Sequence, residues 1–150
     1  MRCEMKIVVD ADACPVKEQV VRAAKTRGVE TVMVFDNTHI IEDGYSKCIV
    51  VDKGADSADL ALVNLLSKGD IAVTGDFGVA TLALAKGAYA LSFSGMRYDD
   101  SNIDKLLFER FLGKRVRRGG GRTKGPQKRS AAQDEAFERA LGALLDELCG

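Results

Sequence analysis

Short apolar segments alternate along this chain with segments whose apolar residues recur at helical spacing, and this alternation strongly restricts its fold. Strands that alternate with helices form a mainly parallel sheet with helices on both faces. The sequence therefore predicts a three-layer α/β fold with a five-stranded sheet, for which we expect the strand order 3-2-1-4-5. The predicted strands cover residues 5–10, 30–35, 46–51, 71–74 and 88–93.

The helices are predicted from their first and last residues as well as from their apolar stripes. Pro15 is expected in the first turn of the first helix, which Gly28 ends. The fourth helix is predicted over residues 102–112, and a C-terminal helix over residues 131–148. The third strand is expected to be buried on both faces. With 150 residues, the chain is predicted to form a single domain.

The composition also bounds where the protein acts and with what. No apolar run approaches the roughly 18 residues that span a bilayer, so no membrane partner is expected. The four cysteines share no CxxC spacing, which argues against a zinc knuckle or a thioredoxin motif. We expect reduced thiols and a cytoplasmic protein. A homo-oligomer is compatible with the sequence, which does not set the oligomeric state.

Acidic residues stand where the two central strands of the predicted sheet end. Asp10 and Asp12 follow the first strand, and Thr74 and Asp76 follow the fourth. The strand order reverses beside strand 1, and ligands of such sheets bind at the carboxyl ends of the strands at that reversal. Gathered carboxylates repel one another unless a cation or a proton neutralises them. The sequence therefore predicts a Mg²⁺ or Mn²⁺ site, with candidate ligands Asp10, Asp12, Asp56, Asp59 and Asp76.

Each of these residues also has an ordinary structural interpretation. Asp10 or Asp12 could accept hydrogen bonds within a turn, although one turn needs only one acceptor. Asp56 and Asp59 have the spacing of a capping box, so at least one of them is expected to cap a helix. Asp76 could cap the helix that follows it, and Thr74 could be an ordinary strand residue. We favour catalytic or metal-binding roles for Asp10, Asp12 and Asp76.

The charge of the chain is zero overall but unevenly distributed. Residues 1–112 carry a net charge of −4, residues 113–130 carry +8, and residues 131–150 carry −4. The basic segment 113–130 is predicted to be flexible and to hold a phosphate backbone without reading sequence. Lys17, beside the first acids, could contact a phosphate, pair with an acid or lie solvated on the surface. The candidate substrate-binding residues are Lys17, Thr74, Arg115, Arg117, Arg118, Arg122 and Lys124.

Several stretches resemble the bacterial YaiI/YqxD family of uncharacterised proteins, which has a PIN-like fold. They include residues 9–15, with the signature Asp-Ala-Asp-Ala-Cys-Pro, and residues 54–59, 69–76, 85–88, 125–126 and 134–137. The resemblance spans nearly the whole chain. It implies a PIN-like arrangement, in which metal-dependent ribonucleases place acids after strand 1, at a mid-chain helix and after strand 4. By position these acids correspond to Asp10, to Asp56 or Asp59, and to Asp76.

Three functions follow as hypotheses. The first is a metal-dependent nuclease that hydrolyses phosphodiester bonds in RNA. The second is a haloacid-dehalogenase-like phosphatase, in which Asp10 is the nucleophile, Asp12 the general acid, and Asp99-Asp100 the further acidic motif. The third is a metal-binding or RNA-binding protein without catalysis.

Overall fold

Strands and helices alternate in the computed structural model as the sequence predicts. The structure describes residues 4–35, 43–51, 57–118 and 129–149. The strands are β1 (Lys6–Asp10), β2 (Glu30–Phe35), β3 (Lys47–Val50), β4 (Ile71–Val73) and β5 (Tyr89–Leu91). The helices are α1 (Lys17–Arg27), α2 (Ser57–Leu65), α3 (Phe77–Ala85), α4 (Asp100–Arg118) and α5 (Ala131–Cys149).

The sheet has the order β3-β2-β1-β4-β5, and every strand pair in it is parallel. This confirms the predicted α/β class and strand order. Val9 of β1 is in register with Val73 of β4, so the residues that follow them, Asp10 and Thr74, leave the sheet side by side. The point where the strand order reverses therefore lies next to Asp10.

Two apolar clusters, one on each face of the sheet, make the three layers. Successive side chains of a strand point to opposite faces, so Ile7 and Val9 belong to one cluster and Val8 to the other. The first cluster lies under α1 and α5, and the second under α2, α3 and the start of α4. Burying these side chains stabilises the fold, because removing apolar surface from water lowers the free energy by roughly 25 cal/mol per Å².

The C-terminal helix α5 completes the first cluster. Phe137 and Leu141 on its apolar stripe are fully buried. Arg22 on α1 pairs with Glu138 on α5 at 2.6 Å, and a second pair joins the same two helices. Since exposed ion pairs contribute at most about 1 kcal/mol each, apolar burial rather than charge holds α5 in place.

Three local predictions were wrong. The strand β3 is not buried on both faces, because it is an edge strand and Val50 is 44% exposed. The helix α4 runs to Arg118, so residues 113–118 of the predicted flexible segment are helical. Lys and Arg are good helix formers, and cations suit the carboxyl end of a helix. The helix α1 begins at Lys17, with Val16 at its N-cap, and Pro15 therefore precedes it.

The cysteines only partly match the expectation of reduced thiols. Cys14 and Cys48 are not part of a disulfide, whereas Cys149 is disulfide-bonded. The sulfur of Cys149 lies 4.0 Å from that of Met5, because α5 ends beside the beginning of β1. Among the helices of the described residues, none is both long and apolar enough to cross a bilayer.

Candidate functional site

A cleft of about 560 Å³ opens at the carboxyl ends of β1 and β4. Its position agrees with the general rule for parallel sheets, in which the loops after the strands form the binding crevice. Two acids, two small residues and two aromatic rings line it, namely Asp10, Asp76, Ala13, Gly75, Phe77 and Phe93.

Asp10 is the most strongly perturbed acid of the cleft. Its carboxyl group is half-buried, and its pKa is raised from 3.8 to about 6. Burial is the largest cause, followed by the negative charge of Asp59 and then that of Asp12. Asp76 also raises the pKa, while the hydrogen bond from Thr74 lowers it. The fold therefore brings three of the other four predicted acids close enough for their charges to raise the pKa of Asp10.

Thr74 links the acids of the two strands. Its hydroxyl donates a weak hydrogen bond to Oδ2 of Asp10 at 3.5 Å and accepts one from the backbone N–H of Asp76 at 3.1 Å. The Thr74 side chain is fully buried, and its backbone carbonyl accepts a hydrogen bond from the hydroxyl of Tyr98 at 3.2 Å. Thr74 is thus held in a fixed position between Asp10 and Asp76.

Asp76 caps the helix α3, as its structural interpretation anticipated. Its Oδ1 accepts hydrogen bonds from the backbone N–H groups of Gly78 at 2.7 Å and Val79 at 3.2 Å. The same carboxylate lines the cleft and raises the pKa of Asp10. Capping and a role in the cleft are therefore compatible in this residue.

The loop between β1 and α1 carries Asp12 and is held by Lys17. Asp12 is exposed on the turn that follows β1. The ammonium group of Lys17 donates to the backbone carbonyls of Ala11 at 2.9 Å and Cys14 at 2.7 Å. These contacts give Lys17 a structural role in the loop, and its contact with a phosphate stays a prediction.

Cys14, in the same loop, is not suited to nucleophilic attack. Burial raises the pKa of its thiol to about 11, although the nearby charges of Lys17 and Arg129 lower it. A thiol is a nucleophile as its thiolate, and Cys14 is protonated at neutral pH.

Some of the remaining predicted residues belong to the part of the chain that the structure describes, and others do not. Asp59 lies in the first turn of α2, and Asp56 lies outside the described residues. Arg115, Arg117 and Arg118 occupy positions in the last turns of α4. Arg122 and Lys124 fall outside the part of the chain that the structure describes.

The last basic residue of the segment, Arg129, contacts a residue that lines the cleft. Its guanidinium group donates to the backbone carbonyl of Phe93 and pairs with Asp134 at 2.5 Å. The carboxyl end of the basic segment is therefore fixed beside a residue that lines the cleft.

The oxygen atoms of the cleft are of the type that binds a hard divalent cation, but their side chains are not arranged as a complete ligand set among the described residues. Carboxylate and hydroxyl oxygens are the ligands that Mg²⁺ and Mn²⁺ prefer. Among the described residues, however, no group of three or more His, Cys, Asp or Glu side chains is arranged to hold a metal ion. The chemistry of the donors agrees with the prediction, and a metal centre remains a proposal.

Sequence reasoning missed the aromatic residues of the site. Phe93 follows β5 and Phe77 opens α3, and both line the cleft. The parallel-sheet rule that located Asp10 and Asp76 would also have placed Phe93 at the same edge. No comparable signal identified Tyr98, whose hydrogen bond to Thr74 depends on the packing of the segment before α4.

The motif Asp99-Asp100, proposed as the further acidic motif of a haloacid-dehalogenase-like phosphatase, has a structural role at the start of α4. Asp99 is exposed and accepts hydrogen bonds from the backbone N–H of Asn102 and from the hydroxyl of Ser101, both at 2.8 Å. These bonds hold the pKa of Asp99 below its ordinary value. Asp99 therefore caps the beginning of α4, and neither it nor Asp100 is among the residues that line the cleft.

Known proteins similar to this chain match more than nine-tenths of its length. The family model described as "Uncharacterized BCR, YaiI/YqxD family" matches residues 8–147. A UPF0178 protein of Ruminiclostridium cellulolyticum is 53% identical over 137 residues, which cover 91% of this chain and 90% of that protein. A UPF0178 protein of Clostridium acetobutylicum is 46% identical over 143 residues, covering 94% and 97%. The crystal structure of Rae1 (YacP) from Bacillus subtilis, a W164L mutant, aligns over 95% of this chain and 98% of that chain, with 16% identity and a TM-score of 0.46.

Proposed function

The chain belongs to the YaiI/YqxD family, and from the geometry of its cleft we propose a function. The protein is a divalent-metal-dependent nuclease that acts on RNA in the cytoplasm. One observation carries the proposal. Asp10, at the carboxyl end of the central strand, has a pKa raised to about 6 by burial and by the charges of Asp59, Asp12 and Asp76. Perturbed carboxyl groups in a cleft are typical of functional sites.

The clustered negative charge supports a cation site. Ionised carboxylates in a partly buried site repel one another, and a divalent cation relieves this repulsion. In the proposal Asp10 and Asp76 hold Mg²⁺ or Mn²⁺, and Asp12, Asp56 and Asp59 complete the ligand set or orient water. A bound cation of this kind would polarise the phosphate and lower the pKa of the attacking water.

The protein residues supply position and charge around that chemistry. Thr74 keeps Asp10 and Asp76 next to each other through its buried hydroxyl. Hydrolysis adds the water oxygen to phosphorus and breaks the bond to the leaving oxygen, which takes up a proton. The basic positions Arg115, Arg117, Arg118, Arg122 and Lys124 would neutralise the substrate backbone, which binds basic residues through sequence-independent phosphate contacts.

The test is cleavage of end-labelled single-stranded RNA by the purified protein with Mn²⁺, compared with Asp10→Asn and with EDTA. We expect cleavage by the wild type, and its loss both in the variant and with EDTA. Asp146→Asn is the matched control, because Asp146 is an exposed carboxylate paired with Arg27 on the α5 side of the molecule. It should cleave as the wild type does.

Equal cleavage by wild type and Asp10→Asn would indicate a contaminating ribonuclease and overturn the proposal. Hydrolysis of a phosphomonoester without RNA cleavage would also overturn it, in favour of the phosphatase. Isothermal titration with Mn²⁺ adds a readout that does not depend on substrate. Binding to the wild type that is lost in Asp10→Asn would support the proposed metal ligands.

A further inference from the structure

Two aromatic rings reach the cleft from opposite faces of the sheet. Phe93 is partly buried against the apolar cluster under α1 and α5, and Phe77 against the cluster under α2, α3 and α4. Both rings nevertheless line the cleft together with Asp10 and Asp76. The acids are therefore accompanied by one ring from each layer of the fold.

Each ring is held by its surroundings. A Cβ atom at Gly75 would lie 3.0 Å from Cε2 and 3.2 Å from Cδ2 of Phe93, so the absence of a side chain there lets this ring lie against the backbone. The ring of Phe77 meets that of Tyr98 edge-on, with centroids 6.2 Å apart and an interplanar angle of 65°. Rings fixed in this way lose little conformational entropy when a ligand stacks on them.

The polar groups of the cleft do not explain why apolar rings line it. Single-stranded nucleic acids are bound by positive charge along the backbone and by aromatic side chains on which bases stack. The guanidinium group of Arg129, which pairs with Asp134, donates to the backbone carbonyl of Phe93 and so lies next to one of the two aromatic residues. No aromatic residue occurs in the basic segment 113–130, so stacking has to come from elsewhere in the chain.

We propose that Phe77 and Phe93 form a nucleobase-binding subsite, which makes the substrate single-stranded nucleic acid with an unpaired base at the cleft. This inference rests on the proposed nuclease function and specifies its substrate class. A base in a duplex is stacked on its neighbours and offers no free face, so duplex substrates are excluded from the subsite.

Binding of a short fluorescein-labelled single-stranded RNA, measured by anisotropy in EDTA, tests the subsite without any cleavage. We expect Phe93→Leu and Phe77→Leu to weaken binding about 5- to 150-fold, which corresponds to the loss of one stacked base. Phe93→Tyr keeps an aromatic face and should bind as the wild type does. Phe108→Leu is the matched control, because Phe108 is 60% exposed on α4 and does not line the cleft.

The probe can be varied as well as the protein. An RNA with abasic sites should bind more weakly than the intact RNA to the wild type, and equally weakly to Phe93→Leu. A duplex of the same sequence should bind the wild type and Phe93→Leu alike. These comparisons remain informative if Phe77→Leu does not fold, because they need only the wild type and the Phe93 variants.

Wild-type affinity that is indifferent to abasic sites, or Phe93→Leu that binds as tightly as the wild type, would overturn the subsite. This failure is distinguishable from failure of the nuclease proposal, which would appear as absent cleavage with Mn²⁺. Binding that depends on the bases but is not followed by cleavage would support the subsite and would indicate that the protein binds nucleic acid without hydrolysing it.

Discussion

The hydroxyl of Thr74 lies 3.5 Å from Oδ2 of Asp10 and joins the ends of two neighbouring parallel strands. Because the same hydroxyl accepts the N–H of Asp76, one buried threonine sets the relative positions of both acids in the cleft. Four predictions follow from the groups around this contact and from two of the basic residues that the sequence predicts to bind substrate.

Thr74→Val should raise the pKa of Asp10 above about 6, because the hydrogen bond from Thr74 lowers that pKa in the wild type. It should also cost about 1 to 3 kcal/mol of stability by removing the acceptor for the Asp76 N–H. Thr74→Ser keeps the hydroxyl and is the control. Titration of the carboxyl ¹³C signal in EDTA measures the pKa, and an unchanged value in Thr74→Val would refute the role assigned to this hydroxyl.

Asp10→Asn should stabilise the metal-free protein above pH 6 and have little effect near pH 4. The pKa of Asp10 is raised on folding, so the folded state binds its proton more tightly and loses stability as pH rises from 3.8 to about 6. Asn cannot ionise and avoids this loss. Since the carboxyl group is only half-buried, solvent screening reduces the expected gain to roughly 1 kcal/mol.

Thermal unfolding of both proteins in EDTA at pH 4 and pH 8 measures the effect of Asp10→Asn. A gain of roughly 1 kcal/mol corresponds to about 2 to 4 °C in Tm for a domain of this size. A gain of equal size at both pH values would show that removing the charge of Asp10 is not its cause.

Substitutions of Asp76 should separate its two roles. Asn is as good an N-cap as Asp, so Asp76→Asn should keep the stability of α3 while removing the negative charge and the metal-dependent cleavage. Asp76→Ala should lose cleavage and also about 1 kcal/mol of stability, because the N–H groups of Gly78 and Val79 lose their acceptor. Urea unfolding and RNA cleavage of the two variants provide the comparison. Full cleavage by Asp76→Asn would restrict Asp76 to capping.

Removing the charge of Lys17 should change stability but not the salt dependence of RNA binding, whereas removing the charge of Arg115 should do the reverse. Lys17→Met should lower stability by about 1 to 3 kcal/mol, because two backbone carbonyls lose their donor, without changing the salt dependence of RNA binding. Arg115→Gln should leave stability within about 0.5 kcal/mol and lower the slope of log Kd against log salt by about 1. Urea unfolding and salt titrations of RNA binding distinguish them. A lower slope of log Kd against log salt in Lys17→Met would instead support the phosphate contact that the sequence predicts for Lys17.

The sequence alone determined the elements, the sheet and the place of the cleft. Apolar runs of β-branched residues and helical stripes are local patterns, and their alternation specifies a parallel sheet whose order reverses beside β1. That reversal alone predicts that Asp10 and Asp76 lie at one edge of the sheet. The capping role of Asp76 was also foreseen, because it depends only on its position at the start of α3.

Only the tertiary structure decided what each side chain contacts. The raised pKa of Asp10 depends on burial and on Asp59, which lies on a helix 49 residues further along the chain. The exposure of Val50 on β3 and the meeting of Phe77 and Phe93 at the cleft likewise arise from packing between distant segments. The periodicity of apolar residues does not predict such contacts, because they depend on how the layers of the fold pack against one another.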